Sequence, residues 1–201
     1  MHIVYIIGAG GHARSLINLL ELNSYFIRGI YDTNFKRNET INGYRLLGTP
    51  KDIKKNARLV LAIGDNQKRK FCFKGFYKKL IKKNIIHPLA IIEKRVVLGE
   101  CNQIFAGAYI NSNVVIGNNN IINTKCVIEH EVVIGNHNHI SVGTIICGRA
   151  CIGDNCFIGA GAVVIDKITI CDDVTVGANA VVVDNITKQG TYVGIPARRI
   201  K

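Results

Sequence analysis

IEHEVVIGNHNHISVGTIICGRACIGDNCFIGAGAVV, residues 128–164, decides the fold. An aliphatic side chain returns at every sixth position: Ile128, Ile134, Ile140, Ile146, Ile152, Ile158 and Val164. Followed in both directions, the register runs from Ile92 to Val182 through sixteen aliphatic positions without a break. A period of six matches neither the helical repeat nor a simple strand alternation, so it describes short strands separated by tight turns. Four residues after most of these positions stands a small or β-branched residue, among them Ala108, Val114, Cys126, Val132, Thr144, Ala150, Cys156, Ala162, Val174 and Ala180.

A second period lies above the first. Gly99, Gly117, Gly135 and Gly153 are spaced by 18, as are Gly159 and Gly177, so three hexads make one triangular coil. Inward aliphatic residues stack in ladders, and coils lie about 4.8 Å apart, the spacing between paired strands. Glycines and asparagines such as Asn118, Asn119, Asn136 and Asn155 are expected to supply the turn conformations that β-branched residues resist.

The chain of 201 residues carries a formal net charge of +12, and all of it lies in the first ninety residues. These hold 17 Lys+Arg and 5 Asp+Glu, whereas the remainder holds 9 of each. Much of the excess falls in Lys68 to Lys83, where Phe71, Phe73, Phe76, Tyr77, Leu80 and Ile81 recur at helical spacing among lysines. That stretch reads as a solvated amphipathic helix or as an electrostatic patch for a phosphate-bearing ligand. No nucleic-acid motif accompanies the charge, so nucleic acid is not expected as a partner. No apolar run approaches the roughly 20 residues of a membrane span. No basic, cleavable leader precedes the first strand, and the seven cysteines are an odd number, which together point to a cytoplasmic location with reduced thiols.

Residues 1–84 form a small α/β, Rossmann-like domain and residues 85–201 the repeat domain with its tail. His2 to Ile7 is a strand, Gly8-Ala9-Gly10-Gly11-His12 a glycine turn, and Ala13 to Leu22 a helix. Glycines let a backbone approach a ligand closely, and a helix N-terminus offers free N–H groups to phosphate. Tyr25 to Tyr31 is a second strand ending at Asp32, about twenty residues on, where a ribose-binding acid lies in dinucleotide folds. Leu59 to Ile63 is a third, ending in Gly64-Asp65-Asn66.

These residues resemble the hexapeptide-repeat acyltransferases, whose prism is a left-handed parallel β-helix. The resemblance narrows with the IGAGGHA-like opening turn, the GDN turn near residue 65, the IEHE segment and the closing VGIPAR, which occur here in that order. It covers essentially the whole chain and points to the branch that acetylates sugars for bacterial surface glycans: N-acetyltransferases of nucleotide-linked 4-amino-sugars and sialic acid O-acetyltransferases. It implies a homotrimer with acetyl-CoA bound between neighbouring helices, and no metal. Of the two activities, the lysine-rich, nucleotide-like first domain favours the 4-amino-sugar.

Acetyl transfer from a thioester needs a base for the attacking amine or hydroxyl and a donor for the developing oxyanion. In Val127-Ile128-Glu129-His130-Glu131-Val132 the inward positions are Ile128 and Val132, so His130 and Glu131 project from a corner. The resemblance assigns His130 as general base and Glu131 as its partner, with Glu129 the rival for that second role. One coil on, position 148 is Gly, which leaves a bare amide beside the base. By resemblance Gly148 contacts acetyl-CoA, together with Asn123, His139, Ala160, Ala178 and Arg198 of the terminal segment, where Arg199 is the alternative. His137 is expected at a solvated turn. Gly11, His12, Asp32, Thr33, Gly64, Asp65 and Asn66 would line the sugar-nucleotide crevice. Two positions depart from the pattern: Thr33 stands where relatives can carry a second acid, and Asp65 where they can carry Asn.

A rival class exists, because gamma-type carbonic anhydrases place three zinc-binding histidines on this helix. Here His130, His137 and His139 crowd into ten residues rather than spreading over adjacent coils. A non-catalytic scaffold or sugar-nucleotide sensor is argued against by the His130 and Glu131 pair beside Gly148.

Overall fold

Strands β1 (His2–Ile7), β2 (Tyr25–Tyr31), β3 (Thr40–Ile41), β4 (Tyr44–Gly48) and β5 (Leu59–Leu61) form one sheet in the order β3-β4-β2-β1-β5. A computed structural model describes residues 2–200 and divides into two units, residues 1–85, which hold this sheet, and residues 86–201. β1 is paired in parallel with β2 on one side and β5 on the other, so the chain changes direction at the carboxyl end of β1. Open α/β sheets bind ligands at such a switch point. Helix α1 (Gly11–Leu22) buries Ala13, Leu16, Ile17, Leu19 and Leu20, one apolar stripe at helical spacing.

One feature of this unit adds to the sequence reading and one corrects it. β3 and β4 form an antiparallel hairpin across Asn42 and Gly43, both at positive φ (48° and 82°), the two-residue turn that Asn-Gly favours. The basic segment is helical only as α2 (Asn66–Phe76), followed by a short 3-10 turn. Leu80 and Ile81 leave the helical path because they are buried beside β5, where the Ile81 N–H donates to Leu59 O at 3.0 Å.

The second unit is a left-handed parallel β-helix. Its coils return every 18 residues: Tyr109 pairs with Val127 and Val127 with Ile145 in the first sheet, Val115 with Val133 and Val133 with Cys151 in the second, and Ile121 with His139 and His139 with Phe157 in the third. Ile110, Ile122, Ile128, Ile140, Ile146 and Ile158 are wholly buried. Each fully buried aliphatic side chain contributes about 1.5–3 kcal/mol, so the ladder dominates the stability of this unit.

Every corner has one left-handed residue per coil. Arg95, Asn113, Glu131, Arg149 and Lys167 occupy that column at the first corner; Cys101, Asn119, His137, Asn155 and Asp173 at the second; Gly107, Lys125, Gly143, Gly161 and Asn179 at the third. Asn119 and Asn155 therefore turn the chain as expected, whereas Asn118 and Asn136 do not. Those two build a ladder outside the turn: the Glu100 N–H donates to Asn118 Oδ1, that of Asn118 to Asn136 Oδ1 and that of Asn136 to Asp154 Oδ1. The glycines spaced by 18 likewise serve close approach, since a Cβ on Gly117 would meet Gly135 O at 2.7 Å. Deeper in the same corner, Asn102, Asn120 and Asn138 replace the small inward residue, and each Oδ1 accepts an N–H from the next coil at 2.6–2.8 Å.

Candidate active site

His130 is held on the first corner by its backbone, whose carbonyl accepts the Arg149 N–H at 2.9 Å. The left-handed conformation of Glu131, φ 60°, turns its side chain back toward the ring, and His130 Nδ1 lies 3.1 Å from Glu131 Oε2. That pairing makes Nδ1 the protonated nitrogen and leaves Nε2 as the acceptor, on a ring that solvent reaches. Glu129 is engaged elsewhere: Asn111 Nδ2 donates to Glu129 Oε2 at 2.7 Å, and Asn111 Oδ1 accepts the Ser112 N–H at 2.7 Å, which fixes the amide orientation. Asn111 was not singled out from the sequence, although it lies one coil before Glu129 and the 18-residue period points to it.

The imidazole rests on the next coil. A Cβ built on Gly148 would stand 2.7 Å from both Cε1 and Nε2 of His130, so the absent side chain is the space the ring occupies. Beside it, burial and the charges of Glu129 and Asp166 push the Cys147 thiol up, which keeps it protonated and a poor nucleophile. Next to Gly148, Arg149 forks onto Asp166 of the following coil at 2.8–3.2 Å.

Asn123, His139, Ala160 and Ala178 gather at the third sheet and third corner, separated from His130 by the first sheet. His139 Nε2 lies 3.2 Å from Asn123 Nδ2, and the ring meets Phe157 edge-on at 5.2 Å. Ala160 and Ala178 are exposed, one coil apart. His137 is a correction: it is 8% exposed rather than solvated, with Nδ1 2.8 Å from Asn119 Nδ2 in the second corner, because stacked left-handed columns cover each other's side chains. Arg198 lies in an exposed terminal strand, 3.4 Å from Asp184. The three histidines of the repeat thus occupy separate positions around the prism, and among the described residues no group of three His, Cys, Asp or Glu is arranged to hold a metal ion.

In the first unit the carboxyl ends of β1, β2 and β5 open onto a cavity of about 930 Å³, lined in part by Gly11, His12, Asp32, Thr33, Gly64 and Asp65. Gly8 closes its floor at φ 108°, where a Cβ would strike Ala62 O at 2.6 Å. Asp32 ties the rim together: Oδ2 accepts the Ala9 N–H and Oδ1 the Asn34 N–H, each at 2.7 Å. Asp65 caps α2 by accepting the Lys68 N–H at 2.8 Å. Asn66 does not line the cavity; its Oδ1 accepts from Arg69 Nη2 at 2.8 Å. Arg69 is wholly buried, and its Nη1 also donates to Ile63 O and Gly64 O, each at 3.1 Å. Burial lowers its pKa to about 9, with Asp65 opposing the shift. Arg69 was hidden in the sequence among solvated cations. Helix α2 supplies one wall of the cavity through Gln67, Lys68, Phe71, Cys72 and Phe76.

Residues 3–76 match the family described as PglD N-terminal domain, and residues 149–184 the family described as bacterial transferase hexapeptide (six repeats). A variant of perosamine N-acetyltransferase from Caulobacter crescentus, in complex with CoA and GDP-perosamine, superposes with a TM-score of 0.90 at 30% identity, over 100% of this chain and 97% of that one. The acetyltransferase domain of PglB from Neisseria gonorrhoeae, in complex with acetyl coenzyme A, gives 0.89 at 26% identity over 99% of each chain. WeeI from Acinetobacter baumannii shares the fold, with a TM-score of 0.83 at 22% identity over the whole of both chains. Uncharacterized protein L142 of Acanthamoeba polyphaga mimivirus is 34% identical over 105 residues, half of this chain; the match spans about a fifth of that curated relative, 21% of its length.

Proposed function

Since the chain belongs to the hexapeptide-repeat sugar acetyltransferases, we propose that it transfers the acetyl group of acetyl-CoA to the 4-amino group of a nucleotide-linked amino-sugar. The observation that carries this reading is the His130 and Glu131 pair seated on Gly148. Support for the acceptor comes from the perosamine enzyme, whose structure holds CoA and GDP-perosamine.

Acetyl-CoA supplies an activated acyl group as a thioester. His130 Nε2 takes the proton from the attacking amine, and Glu131 holds the ring in the required tautomer and stabilises the imidazolium. The Gly148 N–H is the donor for the negative charge that develops on the carbonyl oxygen. His130 then returns its proton to the departing sulfur, so base and acid are one group and the enzyme ends as it began. Asn123, His139, Ala160, Ala178 and Arg198 serve the CoA chain, while Gly11, His12, Asp32, Thr33, Gly64 and Asp65 hold the sugar nucleotide. Asn66 acts through Arg69.

The two clusters of the repeat lie on different corners of one prism, which suits a homotrimer where the His130 corner of one subunit faces the His139 corner of its neighbour across the CoA groove. Outward rows of exposed aliphatics, including Ile91, Val97, Val115 and Val133, support packing between prisms. Among the described residues no helix is long and apolar enough to cross a membrane, and a cytoplasmic location suits acetyl-CoA and a sugar nucleotide as substrates. The test is thiol release from acetyl-CoA against a panel of UDP-, GDP- and dTDP-linked amino-sugars and free sialic acids. Turnover with a nucleotide-linked 4-amino-sugar, lost in His130→Ala with the oligomer intact, is expected; turnover only with free sialic acids, or undiminished turnover in His130→Ala, overturns the reading.

A further inference from the structure

The aromatic face of α2 is not absorbed by the fold. Phe71 is 78% exposed although its segment carries apolar residues at core-like spacing, and Arg69 is the buried residue of that helix. Phe71 nevertheless lines the cavity, with Lys68 one turn before it and Cys72 and Phe76 beyond. Residues at these spacings share one side of a helix, so the wall is graded along its length. Lys68 stands at the end that begins at Gly64 and Asp65, and the aromatic groups follow. Gly10 and Gly11, at the start of α1, also line the cavity, and a Cβ at either would meet nothing within 4 Å.

A sugar nucleotide has a matching gradient, from a flat base to two anionic phosphates. We propose that Phe71 is the stacking platform for the nucleobase, with Lys68 and the open Gly10 to Gly11 turn receiving the diphosphate. This rests on the nucleotide-linked acceptor argued above. A benzene ring offers a π-face and no hydrogen-bonding edge, and every base has a π-face, so Phe71 sets affinity without choosing the base. Lys68 contributes as a point charge near the helix N-terminus, and salt screens that contribution.

Calorimetric titration of UDP, GDP and dTDP into the wild type, Phe71→Ala, Phe71→Leu, Phe71→Tyr and Lys68→Ala tests this, with thermal melts to verify folding and the KM for acetyl-CoA measured alongside. Expected are losses of about ten- to a hundredfold for all three nucleotides in Phe71→Ala, retention in Phe71→Tyr, a loss in Phe71→Leu, and an unchanged KM for acetyl-CoA. The deficit in Lys68→Ala shrinks as salt rises. Wild-type affinity in Phe71→Ala, or Leu serving as well as Tyr, overturns the platform while leaving the acetyltransferase reading in place. Failure of the wild type to bind any of the three overturns both.

Discussion

The imidazole of His130 fills the volume that a side chain at Gly148 would occupy, with Cε1 and Nε2 both 2.7 Å from the position of that Cβ. The base and the glycine are one coil apart, so the missing methyl group sets where the catalytic ring lies.

Gly148→Ala therefore displaces the ring while the backbone, which is not left-handed there, tolerates the change. A shift of about 1 Å at a catalytic group costs on the order of a hundredfold in rate. Steady-state turnover should fall by about that factor with the circular dichroism spectrum and melting temperature near wild type.

Glu131 and Glu129 flank the same histidine and are separable by their partners. Glu131→Gln removes the carboxylate on Nδ1 and should lower kcat by at least about tenfold, because the imidazolium loses its counter-charge. Glu129→Gln keeps an oxygen for Asn111 and should cost less. Comparison of kcat and its pH profile for the two variants checks the assignment.

Arg69 fastens Ile63, Gly64 and Asn66 from beneath the crevice. Arg69→Met removes the donor that these three residues share and is expected to destabilise the fold by about 3 kcal/mol, the scale for breaking a buried charged network. Arg69→Lys should retain part of the stability and raise the KM for the sugar nucleotide, leaving that for acetyl-CoA unchanged. Chemical denaturation and the two KM values measure this.

Burial pushes the Cys126 and Cys156 thiols up to about 12 from an ordinary value of 9.0. Above pH 9 the unfolded chain loses these protons while the folded chain keeps them, so stability falls as pH rises through this interval. Melting temperature should decline between pH 8.5 and 10.5, and more shallowly in a Cys126→Ala, Cys156→Ala double variant.

Asn120 accepts the Asn138 N–H and donates to Asn102 Oδ1 and to Gly135 O inside the second corner. Asn120→Ala removes the acceptor of the Asn138 N–H and the donor to Gly135 O, while Asn102 Oδ1 keeps the Asn120 N–H, and losing a buried partner costs about 1–3 kcal/mol. A loss of at least about 2 kcal/mol in urea denaturation is expected, compared with a smaller one for Asn118→Ala on the partly buried outer ladder.

Much of the prism is legible because its period is rigid: adding 18 to His130 finds Gly148, and the same step from Asn111 finds Glu129 and from Asn119 finds His137. What a column does at a corner is not contained in the period. Asn118 and Asn119 are chemically identical neighbours, yet only Asn119 takes the left-handed turn, because turning is a property of position in the coil. The β3 to β4 hairpin had a local signal in Asn42-Gly43. Arg69 had none, since burial of one cation among many depends on which side of α2 meets β5.

Each coil hydrogen-bonds to the coils immediately before and after it, which makes the prism a one-dimensional stack with an arithmetic of its own. Inserting 18 residues after Val164 would lengthen the wall and leave His130 above Gly148. Inserting six would rotate everything downstream by one face, carrying Ala178 away from the edge it shares with Ala160. Length can thus vary freely in this scaffold only in whole turns, and the catalytic corner is an address in that counting system.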